Sequence, residues 1–208
     1  MSFRFALERY IKDPDSQGDA IIYKDEKYVV IKDKFNKSVI HYLLLPRDKN
    51  LTKLNPLSAF EDDILKKEVE ELIRKVKVMI LERLQREFGI EETEEFIKVG
   101  VHSVPSMANL HVHLLTKDMN SERMKHKKHY NSFTTKFFVD FDELPLKADD
   151  KSSEAHVMEN LTKTSDLKCI YCGENFSNKF AQLKKHLTKE FEKKCRSKKR
   201  KIEVIEID

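Results

Sequence analysis

The stretch His102-Ser-Val-Pro-Ser106-Met-Ala-Asn109-Leu-His111-Val-His113-Leu-Leu115 decides how the rest of the chain is read. Its second half alternates polar and apolar residues with the two-residue period of a strand. His111 and His113 therefore share one face, while Val112 and Leu114 point the other way into a core. Asn109 extends the polar row, and His102 and Ser106 stand just upstream. Polar side chains in register on an apolar strand are costly to bury without partners, so a site is the economical explanation for them.

Around that strand the pattern reads as an α+β unit. Residues 20–23 and 28–32 form strands about a turn at Asp25-Glu26, and residues 39–45 form a third, stopped by Pro46. Leu65, Val69, Leu72, Val76, Ile80 and Leu84 recur at intervals of three and four, which predicts a long helix over 59–88 ended by Gly89. Residues 96–101 and 110–115 supply two more strands. Ser2 caps a short N-terminal helix whose Phe3, Leu7, Tyr10 and Ile11 share one side and which ends before Pro14. The expected first domain spans 1–145, an antiparallel sheet covered by helices. Residues 146–208 hold a linker, with a helix over 153–161, and a second, smaller module. The tail alternates Ile202, Val204 and Ile207, which suggests a terminal strand.

That second module carries Cys169-Ile-Tyr-Cys172, then, after thirteen intervening residues, His186, then Glu190 one helical turn further on. Two thiolates on a tight turn, with an imidazole and a carboxylate on one helix face, can close a tetrahedron around one structural zinc ion. Cys195 is the rival fourth ligand; sulfur suits zinc, but it lies nine residues beyond His186 and needs a bend to reach back. Phe176, Phe180 and Leu183 give this ββα-like finger its small core. A unit of that size draws most of its stability from the metal. The two modules are expected to divide labour, the first retaining chemistry on a simple substrate when the finger is unfolded.

The 208 residues suffice for one sizeable core plus a satellite. Lys+Arg 40 against Asp+Glu 36 is a mild excess, but it is unevenly placed. Lys184, Lys185, Lys189 and Lys193 crowd the finger helix, and Lys125, Lys127 and Lys128 follow the histidine strand, a distribution suited to a phosphate backbone. An odd count of three cysteines argues for a reducing compartment. With no signal-peptide pattern or bilayer-length apolar run, the expectation is a soluble intracellular monomer with no membrane partner. The Lys198-Lys-Arg-Lys201 run would serve nuclear entry.

The histidine stretch resembles the histidine-triad superfamily of nucleotidyl hydrolases and transferases, whose signature is His-Φ-His-Φ-His-Φ-Φ, with Asn109 replacing the first histidine. Val99 to Met107, Lys128-His-Tyr130-Asn-Ser132-Phe133, Ile31-Lys-Asp33-Lys34-Phe-Asn-Lys37 and His41-Tyr-Leu-Leu-Leu-Pro46, followed by the finger, are similar to its aprataxin branch over nearly the whole chain. The resemblance implies a histidine-triad fold that removes AMP from adenylated DNA 5′ ends, including RNA–DNA junctions, with AMP as product. It implies His111 as nucleophile, His113 as donor to a nonbridging oxygen, and His102 as proton donor to the leaving phosphate. Ser106 and Lys128 would stabilise charge on phosphorus, Asn109 would orient its neighbours, and Asp33 and Lys34 would lie near the ribose. His41 either supports the cluster or is a satisfied core histidine; the residues leave both open. Phe3, Phe5 and Tyr10 would stack at a DNA end, with Lys37, Lys184, Lys185 and Lys189 on its phosphates. No metal is expected in the catalytic centre; a three-histidine zinc site there is the competing reading. A hydrolase of free nucleotides or dinucleotides, and a catalytically silent nucleic-acid binder, are the alternatives to the DNA enzyme.

Overall fold

The computed structural model describes residues 3–146, 150 and 154–205, with side chains up to residue 195. A six-stranded sheet, antiparallel throughout, forms its centre: β1 (Ile21–Lys24), β2 (Tyr28–Lys32), β3 (His41–Pro46), β4 (Ile97–His102), β5 (Val112–Thr116) and β6 (Phe138–Asp140), in the order β1-β2-β3-β5-β4-β6. The helices are α1 (Glu8–Lys12), α2 (Asp63–Phe88), α3 (Lys127–Thr134), α4 (Ala155–Thr164) and α5 (Phe180–Ile205).

Helix α2 starts where the Asp62 carboxylate accepts from the amides of Ile64 and Leu65, and it stops at Gly89 in the left-handed region (φ 65°). Its stripe of Leu65, Val69, Leu72, Ile73, Val76, Ile80 and Leu84 is buried against Val30, Tyr42, Leu44, Val101, Val112 and Leu114 on one sheet face. The opposite face is covered in two pieces. Leu7, Tyr10 and Ile11 of the N-terminal segment pack on Val29, Ile31, Leu43 and Leu45. Leu115 and Phe138 pack under Tyr130 and Phe133 of α3 and under Leu167, Cys169, Leu183 and Leu187 of the finger. Between these two apolar patches lies the histidine row.

β5 is central, and His113 pairs across to Leu43 of β3 on one side and to Gly100 of β4 on the other. The absence of a side chain at Gly100 is required by close packing. A Cβ there would stand 2.2 Å from the Val139 carbonyl and 2.6 Å from the Phe138 ring.

Some local expectations differ from the structure. The N-terminal helix is split into a 3₁₀ turn at Phe3–Phe5 and α1. The Arg4 carbonyl leaves the helical pattern to accept from the Ala108 amide at 2.9 Å, tying this segment to the loop before β5. Ser2, the expected cap, lies outside the described residues. The linker helix falls at Ala155–Thr164, slightly later than 153–161. The tail is not a strand: α5 runs on to Ile205, because three β-branched residues do not interrupt turns built of good helix formers. Residues 206–208 lie outside the described residues. Neither β6, three residues long, nor α3, eight residues long, carries enough period to be read from the sequence.

Gly100→Ala is expected to destabilise the protein by about 3 kcal/mol through overpacking against rigid backbone, measured as a shift in the urea midpoint at unchanged m-value.

Candidate active site

A cleft of about 480 Å³ opens above the histidine row, and His102, His111, His113, Ser106, Asp33, Lys37 and Phe3 all line it. His111 and His113 are 4 % and 3 % exposed, so the polar row of β5 is nearly closed over rather than solvated.

Hydrogen bonds determine which ring nitrogens carry protons. Nδ1 of His111 is 2.7 Å from the Asn109 carbonyl, which only accepts, so Nδ1 holds the proton and Nε2 presents its lone pair. The Lys37 amide donates to Nδ1 of His41 at 3.2 Å, so neutral His41 is protonated on Nε2. That nitrogen lies 2.9 Å from Nδ1 of His113 and donates to it. His113 is thereby left with its proton on Nε2, a buried atom with no hydrogen-bond partner among the described residues. Nε2 of His102 is likewise buried and unpartnered. Asp33 Oδ2 stands 3.3 Å from Nδ1 of His41 and would stabilise a proton arriving there.

Burial is the main reason that all four imidazoles have lowered pKa values. His41 falls to about 4, with the Asp33 charge opposing the shift. His102 and His113 go well below the ordinary 6.5, burial being reinforced by the neighbouring rings, above all His111 for the first and His102 for the second. At neutral pH the cluster is uncharged, which leaves nucleophilic lone pairs free. Phe133 roofs it, its ring centroid 4.6, 5.3 and 5.4 Å from those of His102, His113 and His41.

The other sequence-predicted residues are dispersed. The Asn109 side chain does not join the row: its Nδ2 donates to the Thr52 hydroxyl at 3.1 Å, and it lines a separate hollow of about 680 Å³ with Phe5 and Thr52 that the histidines do not reach. Lys34 and Lys128 are exposed and do not line the cleft. Tyr10 is a core residue, 7 % exposed, with the Arg9 guanidinium 4.5 Å from its ring centroid; it offers no free stacking face. Phe3 and Phe5 are exposed. Lys184 donates to the Met124 carbonyl at 3.0 Å, while Lys185 and Lys189 are exposed on α5. Phe35, Arg123, Lys125, His129, Ser132 and Phe133 also line the cleft. Of these, Lys125 lies in the basic run after the strand, and Phe35, His129, Ser132 and Phe133 fall inside quoted motifs. Nothing in the local pattern marks Arg123.

At the C-terminal module, donor atoms of Cys169, Cys172 and His186 lie within 4.8 Å of one another. Cys172 Sγ is 3.4 Å from Nε2 of His186. Tetrahedral zinc, with bonds of about 2.3 Å to sulfur and about 2.1 Å to nitrogen, holds such a pair about 3.6 Å apart, so the residues fit the ion. Glu190 stands outside that trio, its carboxylate 2.5 Å from the Lys193 ammonium. Cys195 is partly buried further along α5.

A sheet carrying neutral, buried imidazoles under an aromatic roof, followed by a Cys-Cys-His finger, defines a nucleotide hydrolase of histidine-triad fold. Residues 6–129 match the family described as scavenger mRNA decapping enzyme C-terminal binding, and residues 134–193 the C2HE / C2H2 / C2HC zinc-binding finger. The chain belongs to the aprataxin family. It is 39 % identical to the aprataxin-like protein of Saccharomyces cerevisiae, over 92 % of this chain and 97 % of that one. Identity to the aprataxin-like protein of Schizosaccharomyces pombe is 37 %, over 92 % and 82 %. Among solved structures, Hnt3 in complex with DNA and guanosine superposes with a TM-score of 0.81 at 35 % identity, covering 94 % of this chain and 99 % of that one. The crystal structure of the Schizosaccharomyces pombe aprataxin ortholog gives 0.80 at 34 % identity, covering 94 % and 96 %.

Because His41 binds protons near 6.5 when unfolded and near 4 when folded, the unfolded chain holds more protons between those values. His102, His111 and His113 shift in the same direction. Stability is therefore full above pH 6.5 and is lost as pH falls toward 4. A thermal midpoint that declines across that window, and declines less steeply in His41→Gln, is the expected outcome of melting curves.

Proposed function

We propose that the chain hydrolyses DNA 5′-adenylates, DNA-5′-PP-5′-adenosine, to AMP and 5′-phosphorylated DNA through a covalent His111–AMP intermediate. The observation that carries this reading is the hydrogen bond locking Nδ1 of His111 to the Asn109 carbonyl, which leaves Nε2 as a lone pair on a ring that lines the cleft. That nitrogen attacks the phosphorus of the adenylate, and the bond to the bridging oxygen breaks. The 5′-phosphate of the DNA leaves, and water then cleaves the nitrogen–phosphorus bond to release AMP. Two steps with a good nucleophile replace one difficult displacement.

The Nε2–H of His113 donates to a nonbridging oxygen, where negative charge accumulates. His102 is neutral in the empty cleft; the charge of a bound pyrophosphate raises its pKa and lets it donate to the departing oxygen. Lys37, Arg123 and Lys125 at the cleft wall and Ser106 on its rim favour the same anion. Lys128, exposed and outside the cleft lining, is given its charge-stabilising role by the family resemblance alone. The catalytic centre uses no metal ion. Asp33, His41 and His113 bring donor atoms together, but imidazole nitrogens 2.9 Å apart share a proton, whereas tetrahedral zinc would hold them about 3.3 Å apart.

DNA is the favoured partner because related structures hold it, because Phe3 is exposed at the cleft and Phe5 at the separate hollow, and because Lys185 and Lys189 extend the basic surface along α5. Among the described residues no helix is long and apolar enough to cross a membrane. The role proposed is repair of abortive ligation ends at single-strand breaks, RNA–DNA junctions included, by a nuclear monomer. One structural zinc ion would be held by Cys169, Cys172, His186 and Glu190, with the family description also admitting a cysteine as the fourth ligand. The zinc would fold the finger and take no part in phosphorus chemistry.

His111→Ala should lower AMP release from an adenylated nicked duplex by at least about a thousandfold while leaving duplex affinity within about twofold. Quenching the wild-type reaction in alkaline denaturant, where the phosphorus–nitrogen bond survives, should reveal AMP on His111. Retained turnover in the variant would overturn the assignment, as would turnover confined to free dinucleotides.

A further inference from the structure

We propose that the finger positions the catalytic histidines, acting through the buried hydroxyl of Tyr130, in addition to any contact it makes with nucleic acid. This rests on the reading of the histidine cleft as the reacting centre. Helix α3 is only eight residues long, and its consecutive side chains serve both modules. Tyr130 is fully buried; its hydroxyl donates to the Lys168 carbonyl at 2.8 Å and accepts from the Ile170 amide at 3.0 Å. One hydroxyl thus satisfies the two backbone groups that flank Cys169. Asn131 adds a second link, its Nδ2 donating to the Ser165 carbonyl at 2.9 Å and the Thr162 carbonyl at 3.3 Å, at the end of α4.

One turn on, the same helix faces the cleft. Ser132 and Phe133 line it, and the polar backbone of Ser132 beside His102 favours its protonated form. Phe133 touches three of the four imidazoles. The apolar contacts follow the same route, since Leu115, two residues after His113, shares a cluster with Leu167, Cys169, Leu183 and Leu187. A packed helix turn transmits displacement rather than absorbing it. A finger whose fold depends on zinc therefore makes the roof of the catalytic cleft depend on zinc. The expected division of labour gives way to coupling: losing the finger should impair chemistry even on a substrate that contains no DNA.

The test uses the full chain with ¹⁵N-labelled histidine and, as substrate, AMP linked to a small amine. Zinc-loaded and chelator-treated protein are compared in the wild type and in Tyr130→Phe, which keeps the ring and removes only the clip. Stripping zinc from the wild type should move the assigned ring resonances of His102 and His113. It should also lower kcat roughly tenfold to a hundredfold with KM little changed, as expected for misplaced reacting groups. Zinc-loaded Tyr130→Phe should retain one equivalent of metal, show part of the same resonance shift, and respond less than the wild type to zinc removal. Should the chelated wild type unfold altogether, the zinc-loaded variant alone decides the matter. Histidine resonances and small-substrate kcat that are unmoved by Tyr130→Phe, or by zinc removal from a protein that stays folded, would overturn the inference. Resonances that respond in a protein with no turnover on any adenylate would uphold the coupling and refute the hydrolase reading instead.

Discussion

The 2.7 Å hydrogen bond from Nδ1 of His111 to the Asn109 carbonyl is the interaction on which the proposed chemistry depends. A neutral imidazole has two nearly equivalent nitrogens, and nothing in the side chain itself chooses between them. By engaging one nitrogen with an atom that can only accept, the backbone leaves the other unprotonated, the form that the proposed nucleophile requires. Burial completes the effect by holding the ring in its neutral form. Because the orienting atom belongs to the main chain, asparagine in place of a histidine at position 109 does not remove it. The Asn109 side chain is occupied elsewhere, on Thr52.

The sheet supplies the rigidity that such an arrangement requires. β5 is hydrogen-bonded on both sides, to β3 and β4, and its outward residues Val112 and Leu114 are fixed against α2. His113 is flanked in register by Leu43 and Gly100, and His41 reaches it from β3 with a 2.9 Å ring-to-ring hydrogen bond. Two apolar clusters, one under the N-terminal segment and one under α3 and the finger, seal the same face on either side of the row. The histidines thus occupy a seam between separately formed covers. That placement explains how His102, His111 and His113 can be enclosed and still border an open cleft.

The histidine and finger motifs could be read because their spacing is short and their chemistry is local. Two-residue alternation put His111 and His113 on one face, and the order of Cys169, Cys172 and His186 brought three zinc-compatible donors together. The long helix α2 was equally plain, with seven buried residues at helical intervals, a capping Asp62 and a left-handed Gly89. What escaped the sequence is short or non-local. Helix α3 and strand β6 span too few residues to display a period. Tyr10 shares its aromatic character with Phe3 and Phe5, yet only its place under the N-terminal segment makes it core.

By itself the sequence determined the strand that carries the histidines, the helix that backs it, the metal-ligand spacing and the family to which the chain belongs. Each of these depends on neighbours within a turn or a strand, where backbone geometry relates position to direction. Only the tertiary structure decided the proton placement on His41, His111 and His113, the diversion of the Asn109 side chain to Thr52, and the joining of Tyr130 to the backbone around Cys169. Several of these link residues 38 to 72 positions apart or depend on which partner a buried group finds, and such pairings arise from packing rather than from any local pattern.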